Sequence, residues 1–161
     1  MELYHGSNMI VKKPTIIIGD RFKDFGVGFY TTSYREQAVR WAHRVLSRSA
    51  GAGEYVNLYE CDIEKAKREL KILEFPIADE AWLDFVVANR RGKPYNESYE
   101  IVIGPVADDS VYSAIKLYET GVYDLSETIK RLKTEELFNQ ILFHTERSLE
   151  YLKFIKAVNK E

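Results

Sequence analysis

The order in which strand-like and helix-like segments follow one another constrains this chain more than any other feature of its sequence. β-Branched runs and helical apolar stripes succeed each other without a regular strand-helix-strand alternation. We predict strands at 3–5, 16–18, 55–63, 99–103, 138–144 and 151–155. We predict helices after Ser33, at 81–91, after Asp108 or Asp109, and at 125–137. This irregular mixing favours an α+β fold over a doubly wound parallel sheet.

The first long helix has the clearest local signals. Ser33 is a candidate N-cap, and Glu36 three residues later would complete a capping box. The residues that follow keep the spacing of one apolar helix face: Ala38, Trp41, Ala42, Val45 and Leu46. The same helix carries four arginines: Arg35, Arg40, Arg44 and Arg48. A local basic groove is one interpretation of these arginines, and the sequence favours the alternative of a solvated helix face.

Length and composition limit the classes of protein to which the chain can belong. A chain of 161 residues is long enough to enclose one core and short for two, so we predict a single domain over 1–161. Its apolar fraction of 45% and charged fraction of 30% are those of a globular protein and argue against disorder. The net charge of −2 gives no overall attraction to phosphate backbones or anionic membranes.

Cysteine use and hydropathy bear on the cellular location. The single cysteine, Cys61, excludes an internal disulfide and fits a reducing compartment. No apolar run reaches membrane-spanning length, and the first residues do not resemble a secretion signal. We therefore expect a cytoplasmic protein without a membrane partner. His43 and His144 lack the spacing of metal ligands with any cysteine or carboxylate pair, so we predict no metal site.

Two glycines separated by one residue, Gly26 and Gly28, imply an unusual backbone path into the extended segment that follows them. They do not begin the usual dinucleotide-binding turn. That turn needs a Gly-x-Gly-x-x-Gly pattern with an acidic residue about 20 positions later, and the third glycine is missing here. If the chain binds NAD, it uses another scaffold.

Two short motifs resemble those of a known enzyme class. The first is Leu3-Tyr4-His5-Gly6-Ser7, and the second is Asp24-Phe25-Gly26-Val27-Gly28-Phe29-Tyr30-Thr31-Thr32. Together and in this order they resemble the diphtheria-toxin and poly(ADP-ribose) polymerase class of ADP-ribosyltransferases. More closely, the pattern resembles a family of small bacterial toxin-like proteins with this domain. The resemblance implies split, mostly antiparallel sheets with surrounding helices, and an activity that consumes NAD as a co-substrate.

The resemblance also implies a set of site residues. It places His5, Tyr30 and Gln140 at the catalytic centre, and Gln140 stands where the class carries a glutamate. A second aromatic residue eleven positions beyond the motif tyrosine corresponds to Trp41. We expect contacts with NAD from the following residues: His5, Gly6, Ser7, Arg21, Gly28, Tyr30 and Trp41.

The chemistry of NAD cleavage suggests a role for each motif residue. Breaking the bond between nicotinamide and ribose builds positive charge on the sugar, so a site must fix the ribose and exclude water. His5 can hydrogen-bond a ribose hydroxyl, and the Gly6 backbone can approach the carboxamide. Ser7 adds a donor and an acceptor. Tyr30 and Trp41 can sandwich the nicotinamide ring.

Gln140 is the main departure from the class. A neutral amide accepts a hydrogen bond from a ribose hydroxyl but opposes the growing positive charge poorly, so we expect single ADP-ribose transfer and no chain elongation. Glu146 is an alternative source of a carboxylate. Arg21 and Lys23 can meet the pyrophosphate. Asp24 can either hold the glycine turn or contact the ligand.

The predicted function is therefore that of an NAD-dependent mono-ADP-ribosyltransferase that modifies a macromolecular acceptor: a protein, an RNA or a DNA. From the resemblance alone we expect a toxin of a toxin-antitoxin or antiphage system, with a cognate antitoxin or inhibitor protein. The alternatives are an NAD glycohydrolase and an inactive module that binds NAD, ADP-ribose or nucleic acid. An RNA 2′-phosphotransferase would need further basic residues, which the sequence does not show near His5.

Each site residue also has a purely structural interpretation. A lone histidine such as His5 commonly ends a strand without further function, and only the pairing of the two motifs favours a site. Tyr30 and Trp41 both fit core positions. Gln140 shares a strand face with Leu142, which is compatible with a partly buried amide whose hydrogen bonds are satisfied.

Overall fold

The structure is a computed structural model that describes residues 1–19, 23–49, 53–93, 98–106, 109–132 and 138–159. Within these residues the chain forms seven strands: β1 Glu2–Ser7, β2 Phe29–Thr31, β3 Tyr55–Cys61, β4 Ile72–Glu74, β5 Ile101–Pro105, β6 Asn139–Phe143 and β7 Leu152–Asn159. The same residues form six helices: α1 Arg35–Arg48, α2 Ile63–Glu69, α3 Glu80–Arg90, α4 Asp109–Glu119, α5 Leu125–Leu132 and α6 Glu146–Leu149. Strands and helices mix irregularly, as predicted.

The strands form two sheets that meet at one point. The first sheet has the order β1-β3-β7 and is antiparallel. The second has the order β2-β6-β5-β4, in which β4 and β5 are parallel and the other pairs are antiparallel. An isolated bridge joins Tyr4 of β1 to Thr32 after β2, with N–O distances of 2.8 and 3.0 Å. The predicted α+β fold with mostly antiparallel sheets is confirmed.

Strand β6 contributes to two apolar cores because its side chains alternate between the faces of the sheet. Leu142 belongs to a core lined by α3, α4 and α5. Ile141 and Phe143 belong to a second core, which residues of both sheets build. The first core also contains several large side chains: Phe25, Trp82, Leu83, Val86 and Ile115. Gln140 lies two residues before Leu142 and therefore on the face of the first core.

Side-chain caps set the beginnings of several helices, among them α3 and α2. Asp79 accepts a hydrogen bond from the Trp82 N–H at 3.0 Å at the start of α3, and Asp62 accepts one from the Lys65 N–H at 3.0 Å at the start of α2. Each cap satisfies an amide that the first helical turn leaves unpaired. The sequence did not predict α2, β4 or α6, because elements of three to seven residues hold too few periodic positions.

Two local predictions are wrong. Helix α1 has its N-cap at Tyr34 and not at Ser33, because the Ser33 hydroxyl accepts a hydrogen bond of 2.7 Å from Asn139. The β-branched residues 16–18 form no strand, since no strand pairs with them among the described residues. Ile18 is 83% exposed there, which shows that the run is not a core strand. Val45, predicted on the apolar face of α1, is also exposed.

Several boundaries also differ from the predicted ones. Strand β3 ends at Cys61 and not at Ile63, because Asp62 caps α2. Strand β5 begins at Ile101, and β7 continues to Asn159 along the full length of β3. The predicted cap Asp108 and the predicted end of the fifth helix, 133–137, lie outside the described residues.

Candidate functional site

The predicted site lies where the two sheets separate. Strands β1 and β2 share the Tyr4–Thr32 bridge and then diverge. If the hydrogen-bonded ladder between β1 and β2 continued past the bridge, Gly6 would pair with Tyr30, because hydrogen-bonded antiparallel pairs recur every two residues. The Gly6 N–H and C=O face the β2 side, since Tyr4 uses the same edge of β1 for the bridge. The end of β1 therefore directs its main-chain donors and acceptors toward the place where the two sheets separate, which we call the seam.

His5 replaces the missing ladder contact at the seam. Its Nδ1 lies 2.7 Å from the Tyr30 carbonyl oxygen, which can only accept, so Nδ1 carries the proton. The imidazole also packs against the Phe29 ring, with 4.2 Å between centroids. Burial lowers the pKa of His5 to about 4, opposed by the hydrogen bond to Tyr30 and helped by the charge of Lys23. His5 is therefore neutral at neutral pH, with Nε2 as a hydrogen-bond acceptor.

Helix α1 lies so close to β1 that only glycine fits at position 6. A Cβ on Gly6 would come within 1.9 Å of the Ala38 carbonyl oxygen and 2.6 Å of the Ala42 nitrogen. Ala38 and Ala42 are themselves small and buried. This close packing holds the end of β1 against α1, so the main-chain groups of Gly6 have a fixed position at the seam.

A buried amide ties the segment after β1 to the neighbouring strand. Asn57 of β3 accepts from the Val11 N–H at 2.8 Å and donates to the carbonyl oxygens of Met9 and His5 at 3.2 and 3.4 Å. Ser7 is buried as well, and its hydroxyl accepts from the Met9 N–H at 3.4 Å. No sequence signal indicates this role of Asn57, because its partners are 46 to 52 residues away.

Tyr30 closes the glycine loop with its own hydroxyl. The hydroxyl donates to the Gly26 carbonyl at 2.6 Å and accepts from the Phe25 N–H at 3.2 Å. Burial raises the pKa of Tyr30, so the hydroxyl stays protonated and able to donate. The Lys23 ammonium lies 5.0 Å from the centroid of the half-buried Tyr30 ring. Lys23 thus stands beside two of the predicted site residues, His5 and Tyr30.

Different constraints explain the two glycines of the loop: close backbone packing at Gly28 and a positive φ at Gly26. A Cβ on Gly28 would meet the Phe143 carbonyl oxygen at 2.3 Å, so the backbone must pass directly against β6. Gly26 has a φ of +90°, which favours glycine, and its Cβ position faces the Asn89 side chain at 3.2 Å. His144 hydrogen-bonds the main chain of Val27, and burial lowers its pKa. Nothing in the sequence indicates that Asn89 and His144 lie against the glycine loop.

Asp24 interacts electrostatically with α3 from the start of the loop. Burial raises the pKa of its carboxyl to about 6, opposed by the positive charge of Arg90 and reinforced by Glu119. The Arg90 guanidinium lies 4.0 Å from the centroid of the Tyr112 ring. In the described part of the chain its Nη1 is buried without a hydrogen-bond partner. The Asp24 carboxyl therefore interacts with charges on α3 and α4, and both roles predicted for it stay predictions.

Gln140 lies on β6 beside β2. It is 4% exposed, and its amide donates to the Pro105 carbonyl at 3.4 Å. Tyr30 pairs with Leu142, so Gln140 is a diagonal neighbour of Tyr30 on the same face, at a Cα separation of about 7–8 Å. The imidazole of His5 packs on Phe29 and so lies toward the other face of β2. Among the described residues, no hydrogen bond joins His5 to Gln140.

The other predicted residues are more widely placed. Trp41 is half-buried on α1, and no ring contact joins it to Tyr30 in the described part of the chain. Glu146 is exposed at the start of α6, beyond the end of β6 that is distant from Gln140. Arg21 lies outside the described residues.

Three further findings concern the rest of the described chain. An open cavity of about 630 Å³ lies between α3 and the turn from α4 to α5, lined by residues such as Arg91, Tyr118 and Tyr123, and none of the predicted site residues lines it. In the ranges that the structure describes, no group of three His, Cys, Asp or Glu side chains is placed to hold a metal ion. None of the described helices combines the length and the apolar character that crossing a membrane requires.

Comparison with known proteins identifies a family but no activity. A family model described as "Protein of unknown function (DUF3990)" matches residues 1–154. No curated protein matches the chain, and no solved structure does. The matched range contains both sides of the seam and the whole of β6.

Proposed function

We propose that this chain, which belongs to the DUF3990 family of proteins of unknown function, is an NAD-dependent mono-ADP-ribosyltransferase with an ADP-ribosyltransferase-like fold. One observation carries the proposal. At the seam, His5 binds the Tyr30 carbonyl in place of a ladder contact, and the main-chain groups of Gly6 face the β2 side. In this proposal the nicotinamide end of NAD binds at the seam.

The Gly6 main chain suits the carboxamide of nicotinamide. One strand edge offers a donor and an acceptor there, and the carboxamide offers an acceptor and a donor in return. No side chain obstructs the approach, because the packing of α1 excludes one at position 6. A ring held by these contacts lies next to Tyr30, whose half-buried ring provides a stacking surface.

Lys23 supplies a positive charge close to this position, since its ammonium lies 5.0 Å from the centroid of the Tyr30 ring. A nicotinamide that stacks on Tyr30 displaces the ammonium from the ring. The pyrophosphate of the same NAD molecule is then the anion that Lys23 meets, in keeping with the role predicted from the sequence.

The neutral state of His5 favours cleavage. Breaking the bond to nicotinamide builds positive charge on the ribose, and a protonated imidazole beside it would oppose that charge. The unprotonated Nε2 instead accepts a hydrogen bond from a ribose hydroxyl. Because the pKa of His5 is lowered to about 4, this arrangement persists through mildly acidic pH.

Gln140 favours a limited reaction. Its Nε2 donates to the Pro105 carbonyl, so Oε1 is the atom that can accept from a ribose hydroxyl. In this proposal that hydroxyl lies on the face of β2 opposite to the His5 imidazole. A neutral amide stabilises the developing positive charge less than a carboxylate does, so we propose single transfer to a macromolecule without chain elongation. We extend the proposal to a toxin role with a cognate antitoxin, since uncontrolled NAD consumption and acceptor modification would harm the cell that contains the enzyme.

The same neutral amide favours two other candidates. An NAD glycohydrolase would bind NAD at the same place, the seam, with water in place of the acceptor. A module that binds NAD or ADP-ribose without turnover would keep the contacts of His5 and Gly6 and lack the electrostatic help of a carboxylate.

Incubation with NAD labelled on the adenylate phosphate, in the presence of cell lysate, tests the proposal. We expect label in a macromolecule together with release of nicotinamide. His5→Ala should lower both by a factor of about 100 or more, because one positioned hydrogen bond to the reacting sugar is lost. The matched control is His43→Ala, since His43 is an exposed histidine paired with Glu54.

The outcomes of this experiment separate the candidates. Label found only in free ADP-ribose indicates a glycohydrolase, and NAD binding without nicotinamide release indicates an inactive module. Equal NAD loss by the wild type and by His5→Ala contradicts the proposed site.

The substitution Gln140→Glu tests the third position of the site. A carboxylate beside the ribose should raise the rate of nicotinamide release by about tenfold or more, because it opposes the developing positive charge. Glu146→Gln, at the other end of β6, should leave this rate unchanged. If Glu146→Gln abolishes turnover while Gln140→Glu has no effect, the ribose does not lie beside Gln140.

A further inference from the structure

Helix α1 presents a line of basic side chains close to the seam. The helix contains four arginines and a single glutamate, Glu36. Arg40, Arg44 and Arg48 recur every four residues and are all exposed, so they follow one flank of the helix at steps of about 6 Å. Glu36 lies four residues before Arg40 at the start of this flank, and the three arginines that follow it all carry positive charge.

Two aromatic side chains stand at the start of this line. Tyr34 is 46% exposed and packs edge-on against Phe138, with 5.1 Å between ring centroids. The Arg40 guanidinium lies 5.1 Å from the centroid of the same Phe138 ring. Phe138 comes two residues before Gln140, and Asn139 between them hydrogen-bonds Ser33. The cluster therefore adjoins the strand that carries the third residue of the proposed site.

We propose that this surface, formed by Tyr34, Phe138, Arg40, Arg44 and Arg48, binds a single-stranded nucleic acid. The further step, that this nucleic acid is also the acceptor of ADP-ribose, rests on the proposed function. Guanidinium groups bind phosphate oxygens in pairs, and a line of them follows a phosphate backbone. Unpaired bases stack on aromatic rings, and base stacking beside a basic track is the usual mode of single-strand binding.

The aromatic rings decide between nucleic acid and acidic protein. An acidic peptide would pair with the arginines but give the exposed Tyr34 ring no flat partner. A duplex would reach the arginines with its phosphates but keep its base faces stacked inside. Only a single-stranded nucleic acid uses both the line of arginines and the exposed aromatic ring. The net charge of −2 for the whole chain limits phosphate attraction to local surfaces such as this one.

A binding measurement without NAD tests this surface independently of the proposed function. A fluorescent oligothymidylate is titrated with the chain, and its anisotropy is recorded at several salt concentrations. The double substitution Arg40→Gln/Arg48→Gln removes two charges from the surface. The matched control, Lys153→Gln/Lys156→Gln, removes two exposed charges from β7.

We expect the arginine pair to weaken binding about tenfold or more, and the lysine pair less than about twofold. The slope of log affinity against log salt should fall by about 1.4 for the arginine pair, which corresponds to two lost phosphate contacts on a single strand. Tyr34→Leu should weaken binding about fivefold or more while leaving the salt slope unchanged, because stacking is not ionic. Thermal unfolding curves of the variants check that each remains folded.

Three results would overturn the proposal: no binding of the strand, equal weakening by both double substitutions, and equal affinity for the strand, a duplex and polyglutamate. Binding that depends on Arg40, Arg48 and Tyr34 supports it even if the chain releases no nicotinamide. In that case the nucleic-acid surface stands while the proposed transferase activity fails. Nicotinamide release without strand binding gives the opposite result.

Discussion

The two sides of the seam are held by different means. On the β1 side, α1 packs so tightly that position 6 has no room for a side chain, and the buried Asn57 amide ties down the following segment. On the β2 side, Gly28 alone of the two loop glycines packs directly against a neighbouring backbone, and the Tyr30 hydroxyl and His144 hold the rest of the glycine loop through individual hydrogen bonds. The first kind of support belongs to the backbone packing of the fold. The second can be altered one hydrogen bond at a time, so we expect changes on the two sides to have different consequences.

The largest expected effect is on the β1 side, from Gly6→Ala. The new Cβ would lie 1.9 Å from the Ala38 carbonyl oxygen, and helix backbone cannot shift as a flexible side chain can. We expect the free energy of unfolding to fall by about 3 kcal/mol or more, measured by urea denaturation. The matched control is Gly19→Ala, because a Cβ at Gly19 meets no atom of the described residues within 4 Å. Equal stability of these two variants would show that α1 does not constrain β1 as described.

A smaller effect is expected on the β2 side, from Tyr30→Phe. The ring remains, but the Gly26 carbonyl and the Phe25 N–H lose their shared partner. We expect the free energy of unfolding to fall by about 1–2 kcal/mol. We also expect the KM for NAD to rise by a larger factor than kcat falls, because the loop loses its position while the stacking ring stays. Calorimetry and initial-rate measurements of nicotinamide release check both quantities.

Tyr151→Phe is the matched control for this tyrosine. Its hydroxyl bonds the Glu69 carboxylate at an exposed position, so water can replace the lost bond. We expect almost no change in stability or in KM for this variant. A Tyr30→Phe protein as stable as Tyr151→Phe would indicate that the hydroxyl does not hold the loop.

The comparison of the two sides also shows how much of the structure could be predicted from the sequence. The irregular order of strands and helices was sufficient to predict the α+β class, because hydrophobic periodicity can be read from short stretches of sequence. The motifs were sufficient to name His5 and Tyr30, which the structure joins by a hydrogen bond of 2.7 Å. Their supports could not be predicted, because Asn57 and His144 meet their partners only after the chain has folded.

The errors at Ser33 and at 16–18 have the same physical origin. Ser33 has the local chemistry of a helix cap, but Asn139 from a distant strand binds its hydroxyl. Residues 16–18 have strand propensity, but propensity needs a neighbouring strand to pair with. Gln140 shows the opposite case: its position on the Leu142 face followed from strand alternation alone, whereas its partner, the Pro105 carbonyl, needed the structure.

The last expected effect concerns pH, and it compares the protonation of His5 on the β1 side with that of Asp24 on the β2 side. Burial lowers the pKa of His5 from 6.5 to about 4 and raises that of Asp24 from 3.8 to about 6. As the pH falls from 6.5 to 4, the unfolded chain protonates His5 and the folded chain does not, so stability is lost. As the pH rises from 3.8 to 6, the folded chain keeps a proton on Asp24 that the unfolded chain releases, so stability is again lost. The two contributions oppose each other where these intervals overlap.

Asp24→Asn should therefore uncover the contribution of His5. Between pH 4 and 6 the free energy of unfolding of this variant should rise with pH more steeply than that of the wild type, by up to about 1.4 kcal/mol per pH unit. Asp84→Asn, at an exposed position of α3, is the matched control and should follow the wild type. Urea denaturation at a series of pH values gives the three slopes. If Asp24→Asn follows the wild type as well, the Asp24 carboxyl is not buried in the folded chain.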